Sequence, residues 1–121
     1  MIKPLKIYIA GPYSADTSEG KIRNTESAID AALAIFSKGH FPYIPHLTHF
    51  VDKHAERKNI TIEWKNWIKW DMPWLEVCDA LFYLGSSPGA ELELRYARKS
   101  RKQIFYTLDE IPDISHEKVA G

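Results

Sequence analysis

The sequence predicts a three-layer α/β domain: a small parallel sheet, in the strand order 2-1-3-4, with helices on both faces. Two observations carry this. Short runs of β-branched and aromatic residues alternate with longer helical stretches, in the order strand, helix, strand, helix, strand, helix, strand. One of these runs, Asp79-Ala-Leu-Phe-Tyr-Leu-Gly85, is continuously apolar, as a strand buried on both faces must be, and passes directly through a Ser-Ser-Pro-Gly turn into a helix. At 121 residues the chain is long enough for one real core and reads as a single domain over 1–121, with 109–121 as a tail.

Taken in order, Leu5-Lys-Ile-Tyr-Ile-Ala10 is the first strand, and Gly11-Pro12-Tyr13 stops it. A polar loop follows through residue 20. A strand, a glycine and a polar loop before a helix is the general plan of an anion-binding turn. There is no GxGxxG and no phosphate-loop Lys-Ser/Thr, so neither a dinucleotide nor an ATP site is read here. Residues 21–38 form the clearest helix, with Ile22, Ile29, Ala32, Leu33 and Phe36 as its apolar stripe and Gly39 as its stop. Phe41-Pro-Tyr-Ile-Pro45 is a second, short strand limited by its prolines.

Residues 51–59 are charged and read as a loop holding a helical turn at most. Residues 61–70 read as a helix that Thr61 caps, with Trp64, Trp67, Ile68 and Trp70 crowding one side. Pro73 is expected to kink or restart it. Beyond the third strand, Leu92, Leu94 and Ala97 are spaced for a core-facing helix, and Gln103-Ile-Phe-Tyr-Thr107 is the last strand. Residues from 109 onward lack clear periodicity and form a tail or a short element lying on a neighbour.

Composition bounds the function. The 16 basic and 16 acidic residues balance, so no basic surplus argues for a nucleic-acid partner. The single cysteine, Cys78, excludes an intrachain disulfide and points to a reducing compartment. The residues after Met1 lack a signal-peptide apolar region, and no apolar run approaches the roughly 18 residues of a membrane span. A cytoplasmic protein without a membrane partner is expected. His46, His49 and His54 invite a metal reading, but their spacing fits no HExxH and one cysteine makes no zinc framework. A ligand-facing or hydrogen-bonded His46 is expected instead, and no metal or cofactor.

Parallel α/β sheets place ligands at the carboxyl ends of their strands. In this topology those ends carry residues 8–13, His46, and residues 86–93, while Asp71 enters from the helix before the third strand. A carboxylate at a helix start is commonly a dipole-stabilised cap, and Asp71 before Met72-Pro73 has the same ordinary reading. Two carboxylates and a tyrosine around one cleft also suit glycosidic-bond chemistry, in which one carboxylate is ionised and the other donates a proton.

Three segments resemble one enzyme family. Tyr8-Ile-Ala-Gly-Pro12 resembles the first strand and turn of nucleoside 2-deoxyribosyltransferases and the related 2'-deoxynucleoside 5'-monophosphate N-glycosidases. Asp71-Met-Pro-Trp-Leu-Glu-Val-Cys-Asp79 is similar to their Asp-x-x-x-(Ile/Leu)-x-x-x-Asp segment. Ser87-Pro-Gly-Ala-Glu-Leu-Glu93, with Ala97 four residues on, is similar to their Gly-x-x-x-Glu-x-x-x-Ala segment. The likeness runs from about residue 5 to 106. It implies a single-domain flavodoxin- or Rossmann-like fold, and a homodimer or larger assembly in which neighbouring subunits complete each active site, with the Trp-bearing helix near an interface.

It also implies roles. Glu93 matches the nucleophile that attacks the anomeric carbon, Asp71 the acid/base group near the leaving base, and Tyr8 the tyrosine that orients the nucleophile. Gly11, with Pro12 and Tyr13, lies where backbone amides approach the substrate, and His46 falls near the base. Ser87 stands where the deoxyribosyltransferases usually carry an Asp and the nucleotide N-glycosidases a Ser facing a 5'-phosphate. Ser86, Ser87 and Gly89 form the expected phosphate cradle, with Lys21 or Arg23 adding charge; the ordinary reading of this serine pair is a turn. Trp70, Trp74 or Tyr13 is placed to stack on a base, core packing being the ordinary reading. Glu93 near a helix start is expected to be ionised, and Asp71 beside Trp70 and Trp74 to be desolvated. The expectation is N-glycosidic cleavage of a nucleoside 5'-monophosphate. The alternatives are deoxyribosyl transfer, or non-catalytic nucleotide binding on the same fold.

Overall fold

Alternate residues of the first strand decide the layers. Ile7 and Ile9 point to one face of the sheet and Tyr8 and Ala10 to the other, all four fully buried. The computed structural model describes residues 2–116. Its elements are β1 (Lys6–Ala10), α1 (Ser18–Ser37), β2 (Phe41–Tyr43), α2 (Thr48–Arg57), α3 (Trp64–Val77), β3 (Ala80–Tyr83), α4 (Pro88–Lys99) and β4 (Gln103–Phe105), with 3-10 turns at Pro45–Leu47 and Leu108–Glu110. The four strands are all parallel in the order β2-β1-β3-β4, the order predicted, in a single-domain Rossmann-like arrangement.

Two cores sandwich the sheet. On one face Ile7, Ile9, Ala80, Phe82 and Phe105 pack on α1; on the other Tyr8, Ala10 and Leu81 pack on Leu75 and Cys78 and on Ala90, Leu94 and Ala97 of α4. Each large aliphatic side chain buried this way contributes about 1.5–3 kcal/mol. A glutamate, Glu93, lies on the buried face of α4 beside Leu94 and Ala97.

The α1 stripe differs from the expected one. The helix turns Thr25, Ala28, Ala31, Ala32 and Ile35 inward, while Leu33 and Phe36 are 63% and 62% exposed and Ile22 is exposed as well. Three alanines and Ile35 let the helix sit close to this face, and Leu33 and Phe36 are left outside. Residues 51–59, expected to be mostly loop, belong to α2, a full ten-residue helix that starts at Thr48. Pro73 does not restart α3, which runs through it without a break. Pro73 and Lys69, whose carbonyl the missing N–H would have bonded, are both exposed, so water can take that carbonyl. Thr61 does not cap α3, which starts three residues later with no side-chain cap.

The described part of the expected tail lies on its neighbours. Ile111 and Ile114 are buried. Lys38 Nζ donates to the carbonyls of Leu108 (2.7 Å) and Ile111 (3.1 Å), and the Ile114 N–H donates to the Lys38 carbonyl (2.8 Å). His40, fully buried, accepts from the Leu5 N–H at Nδ1 (3.0 Å) and donates from Nε2 to the Pro112 carbonyl (2.7 Å). Gly39 makes the junction possible: its φ is +99°, and a Cβ there would stand 2.7 Å from Ile114 Cγ1. Residues 117–121 of that segment lie outside the described residues. Among the described residues no helix is long and apolar enough to cross a membrane.

Candidate active site

Tyr8 is the middle residue of the central strand, so its phenol is carried into the α3–α4 layer and fully buried. Its ring stacks on Tyr43 of β2 (centroids 5.6 Å apart), and Tyr43 stacks in turn on Trp74 of α3 (5.7 Å). This three-ring stack fixes the direction of the Tyr8 hydroxyl, which donates a short hydrogen bond to Glu93 Oε2. Burial, and then the neighbouring Glu93, raise the Tyr8 phenol far above its usual range, so it stays a donor.

Glu93 reaches this point because α4 starts early. Ser87 caps the helix, its Oγ accepting from the Ala90 N–H (3.0 Å), and Pro88 occupies the first turn. Glu93 then falls beyond the first turn, where the helix dipole has faded, and is only 6% exposed. Burial pushes its carboxyl up to about 8; the Tyr8 hydrogen bond opposes this, and the nearby Asp71 adds to it. The expectation that a helix start keeps Glu93 freely ionised therefore gives way to burial. Glu91, two residues earlier, points elsewhere and accepts from the Tyr83 hydroxyl.

Asp71 comes from the middle of α3. Burial raises its carboxyl to about 7, as expected, and its Oδ1 is buried without a hydrogen-bond partner among the described residues. Two raised carboxyls this close titrate as a pair. Tyr8 donates to Glu93 and so favours the charge there, while the unpartnered oxygen favours the proton on Asp71. Burial alone lifts Glu93 above Asp71 and would leave the single proton on Glu93; in the opposite order, which the Tyr8 donor and the unpartnered Asp71 oxygen favour, the pair offers a nucleophile and an acid together.

Both carboxylates line a cleft of about 580 Å³ at the carboxyl ends of the strands. Of the other residues singled out in the sequence, Gly11, Tyr13, His46, Ser87 and Gly89 line the same cleft. Pro12 and Ser86 are not among its lining residues: the Pro12 ring packs beside Gly85, and Ser86 Oγ is 3.4 Å from Glu91 Oε2. Packing also keeps Gly11 small, since a Cβ there would stand 3.0 Å from the Leu84 Cβ. Lys21 lines the cleft and stands over the Tyr13 ring at 5.9 Å, whereas Arg23 is exposed elsewhere. Trp64 and Trp67, not Trp70 and Trp74, form the aromatic wall.

The remaining wall went unread in the sequence. Thr48 and Asp52 lie one turn apart on α2 and face the cleft, and Ile62 and Ile68 add apolar surface. Tyr13 is held in place by a 2.7 Å bond between its hydroxyl and His49 Nδ1, while Asn24 Nδ2 donates to the Tyr13 carbonyl at 3.0 Å. His46 is 3% exposed and donates from Nε2 to the Gly11 carbonyl at 3.1 Å. The Thr48–Asp52 spacing is the signal that could have revealed this face, had residues 51–59 been taken as a helix. Among the described residues no group of three or more His, Cys, Asp or Glu is arranged to hold a metal ion.

A family model described as Domain of unknown function (DUF7768) matches residues 5–107, which spans both carboxylates and all four strands. The chain belongs to that family. No curated protein matches it.

Proposed function

We propose that this protein cleaves the N-glycosidic bond of a (deoxy)nucleoside 5'-monophosphate and releases the free base. The observation that carries the reading is the hydrogen bond from Tyr8 to the buried Glu93 carboxylate, with Asp71 in the same cleft. In this mechanism a Glu93 oxygen attacks the anomeric carbon as the C–N bond to the base breaks, and Asp71 gives its proton to the departing nitrogen. The glycosyl ester on Glu93 is then hydrolysed by water, which Asp71, now a base, deprotonates. Tyr8 holds the attacking oxygen in line.

The phosphate is placed at the start of α4. There the Ser87 hydroxyl still has its proton to donate while its oxygen caps the helix, the Gly89 N–H lies in the first turn, and Lys21 supplies a cation to the cleft. A homodimer or larger assembly belongs to the same proposal, supported by the aromatic and aliphatic side chains that α3 exposes, Trp70, Trp74 and Val77. A cytoplasmic setting is supported by the lone free thiol of Cys78.

The test is incubation of the purified protein with a panel of nucleosides and nucleoside 5'-monophosphates, following free base by chromatography. Base release that Glu93→Ala abolishes, with the fold intact by circular dichroism, supports the reading. Tight nucleotide binding with no turnover in the wild type would replace it with a binding protein.

A further inference from the structure

On the cleft wall built by the β2–α2 connection the side chains offer hydrogen-bond acceptors, and the His46 and Thr48 donors are already engaged. His46 Nε2 faces the Gly11 carbonyl, an acceptor, so the ring proton must sit on Nε2. Burial lowers the imidazole pKa and keeps the ring neutral, which leaves Nδ1 with a bare lone pair; that atom is buried and has no partner among the described residues. Thr48 Oγ1 donates its single proton to the Pro45 carbonyl at 2.8 Å, so only its lone pairs remain. One helical turn further, Asp52 adds a carboxylate, and neither ion pair among the described residues involves it. The Tyr13 hydroxyl, which might have balanced the wall, is engaged by His49. The cleft's ammonium, Lys21, belongs to α1 and stands over the Tyr13 ring.

We infer that this acceptor wall reads the edge of the base, selecting bases with an exocyclic amino group (cytosine, adenine or guanine) over the keto bases uracil and thymine. An amino group brings two N–H donors to a surface made of lone pairs. A carbonyl in its place sets acceptor against acceptor and leaves buried polar atoms unpaired, the arrangement that binding sites reject most strongly. Carboxylates accept from cytosine N4 by the same geometry in nucleic-acid readout. The inference rests on the proposed nucleotide substrate but concerns a different part of the cleft from the two carboxylates that act on the bond.

Matched pairs test it. Cytidine and uridine monophosphates, in their deoxy forms, differ by amino for keto at position 4 and by a bare nitrogen for an N–H at position 3, and the deoxy monophosphates of adenine and hypoxanthine differ likewise at positions 6 and 1. Dissociation constants by calorimetry and kcat/KM for base release are measured for all four. The expected result is at least about a tenfold preference for the amino member of each pair, the scale of one well-made base contact. Asp52→Asn, which adds an N–H donor to the wall, is expected to shrink or invert that ratio while Thr48→Val narrows it less. Equal use of both members, a keto preference, or an Asp52→Asn ratio equal to wild type would overturn the inference. An amino preference in binding without any base release would keep it and remove the glycosidase reading. No binding of any of the four would overturn both.

Discussion

The Tyr8 hydroxyl and the Glu93 carboxylate, 85 residues apart in sequence, share a buried hydrogen bond between the central strand and the last helix. That bond lowers the Glu93 pKa against the effect of burial. Tyr8→Phe keeps the ring and its stack on Tyr43 but removes the donor. Glu93 should then become harder to ionise, so the acid limb of the pH–rate profile moves to higher pH. A charged hydrogen bond is worth about 1.5–3 kcal/mol, so kcat near neutrality should fall by roughly 10- to 100-fold. Stopped assays across pH 5–10, taken here as a roughly five-unit window around the carboxyl titrations, check this. An unmoved acid limb would separate Tyr8 from the nucleophile.

The carboxyl pair sets the pH optimum. With Asp71 raised to about 7 and Glu93 to about 8, the singly protonated pair is most abundant between those values. Activity should be bell-shaped, falling on the acid side as both groups become protonated and on the basic side as both lose their protons. Asp71→Asn should flatten the basic limb. The acid limb should stay in place, because it reports Glu93 ionising while Asp71 is protonated and uncharged. A variant profile that superimposes on the wild type would take Asp71 out of the acid role.

The same burial has a stability cost with a definite sign. A carboxyl whose pKa is higher folded than unfolded binds its proton more tightly in the native state. Its stabilising effect is complete below the unfolded value and is lost as pH rises through the folded value. Glu93 rises from 4.5 to about 8, so wild-type stability should decline between these two pH values. Glu93→Gln, neutral throughout, should unfold at nearly the wild-type temperature at acid pH and roughly 5–10 °C above it once the pH passes the folded value. Thermal melts at the two extremes decide it, and equal wild-type stability at both would show that Glu93 is not desolvated.

Ser87→Asp tests the phosphate end of the cleft. An aspartate can still cap α4, since Asp is as good a cap as Ser, so the fold should survive. A carboxylate beside a phosphate dianion repels it, and KM for a nucleoside 5'-monophosphate should rise at least about tenfold while KM for the nucleoside changes little. An undiminished preference for the monophosphate in this variant would move the phosphate elsewhere.

Sedimentation velocity on the wild type should give a dimer or larger species. Trp70→Glu and Val77→Glu on the exposed side of α3 should shift it toward monomer without unfolding it. A wild-type protein that sediments as a monomer while fully active would exclude assembly as a requirement.

The layers of this fold were legible because β3 is apolar at every position, β1 at all but Lys6, and the helical stretches lie between strands, a pattern that leaves few alternatives to 2-1-3-4. The faces of the helices were less so. On α1 the bulky stripe of Leu33 and Phe36 outweighed alanines in any reading of periodicity, yet the helix meets Ile7, Ile9 and Phe82 through Ala28, Ala31, Ala32 and Ile35. On α2 the inward residues are His49 and Ala55, which carry little hydrophobic signal, so the helix and its Thr48–Asp52 face were hidden behind charge. The cleft residues Tyr8, Asp71 and Glu93 were legible as a set. The rise in the Glu93 pKa was not, because it depends on which face of α4 is covered rather than on its place in the sequence.

The imidazole of His40 receives the chain just before β1, at Leu5, and again after the turn that follows β4, at Pro112. The two are thus held within one side chain of each other, on the side of the domain away from the cleft-facing residues Glu93 and Asp71. A short peptide joining these two points would close a small loop at little entropic cost. The chain could then be reopened at the exposed turn at 100–101, which joins α4 to β4. Such a circular permutant would reorder the connectivity while keeping every strand neighbour and both carboxylates in place.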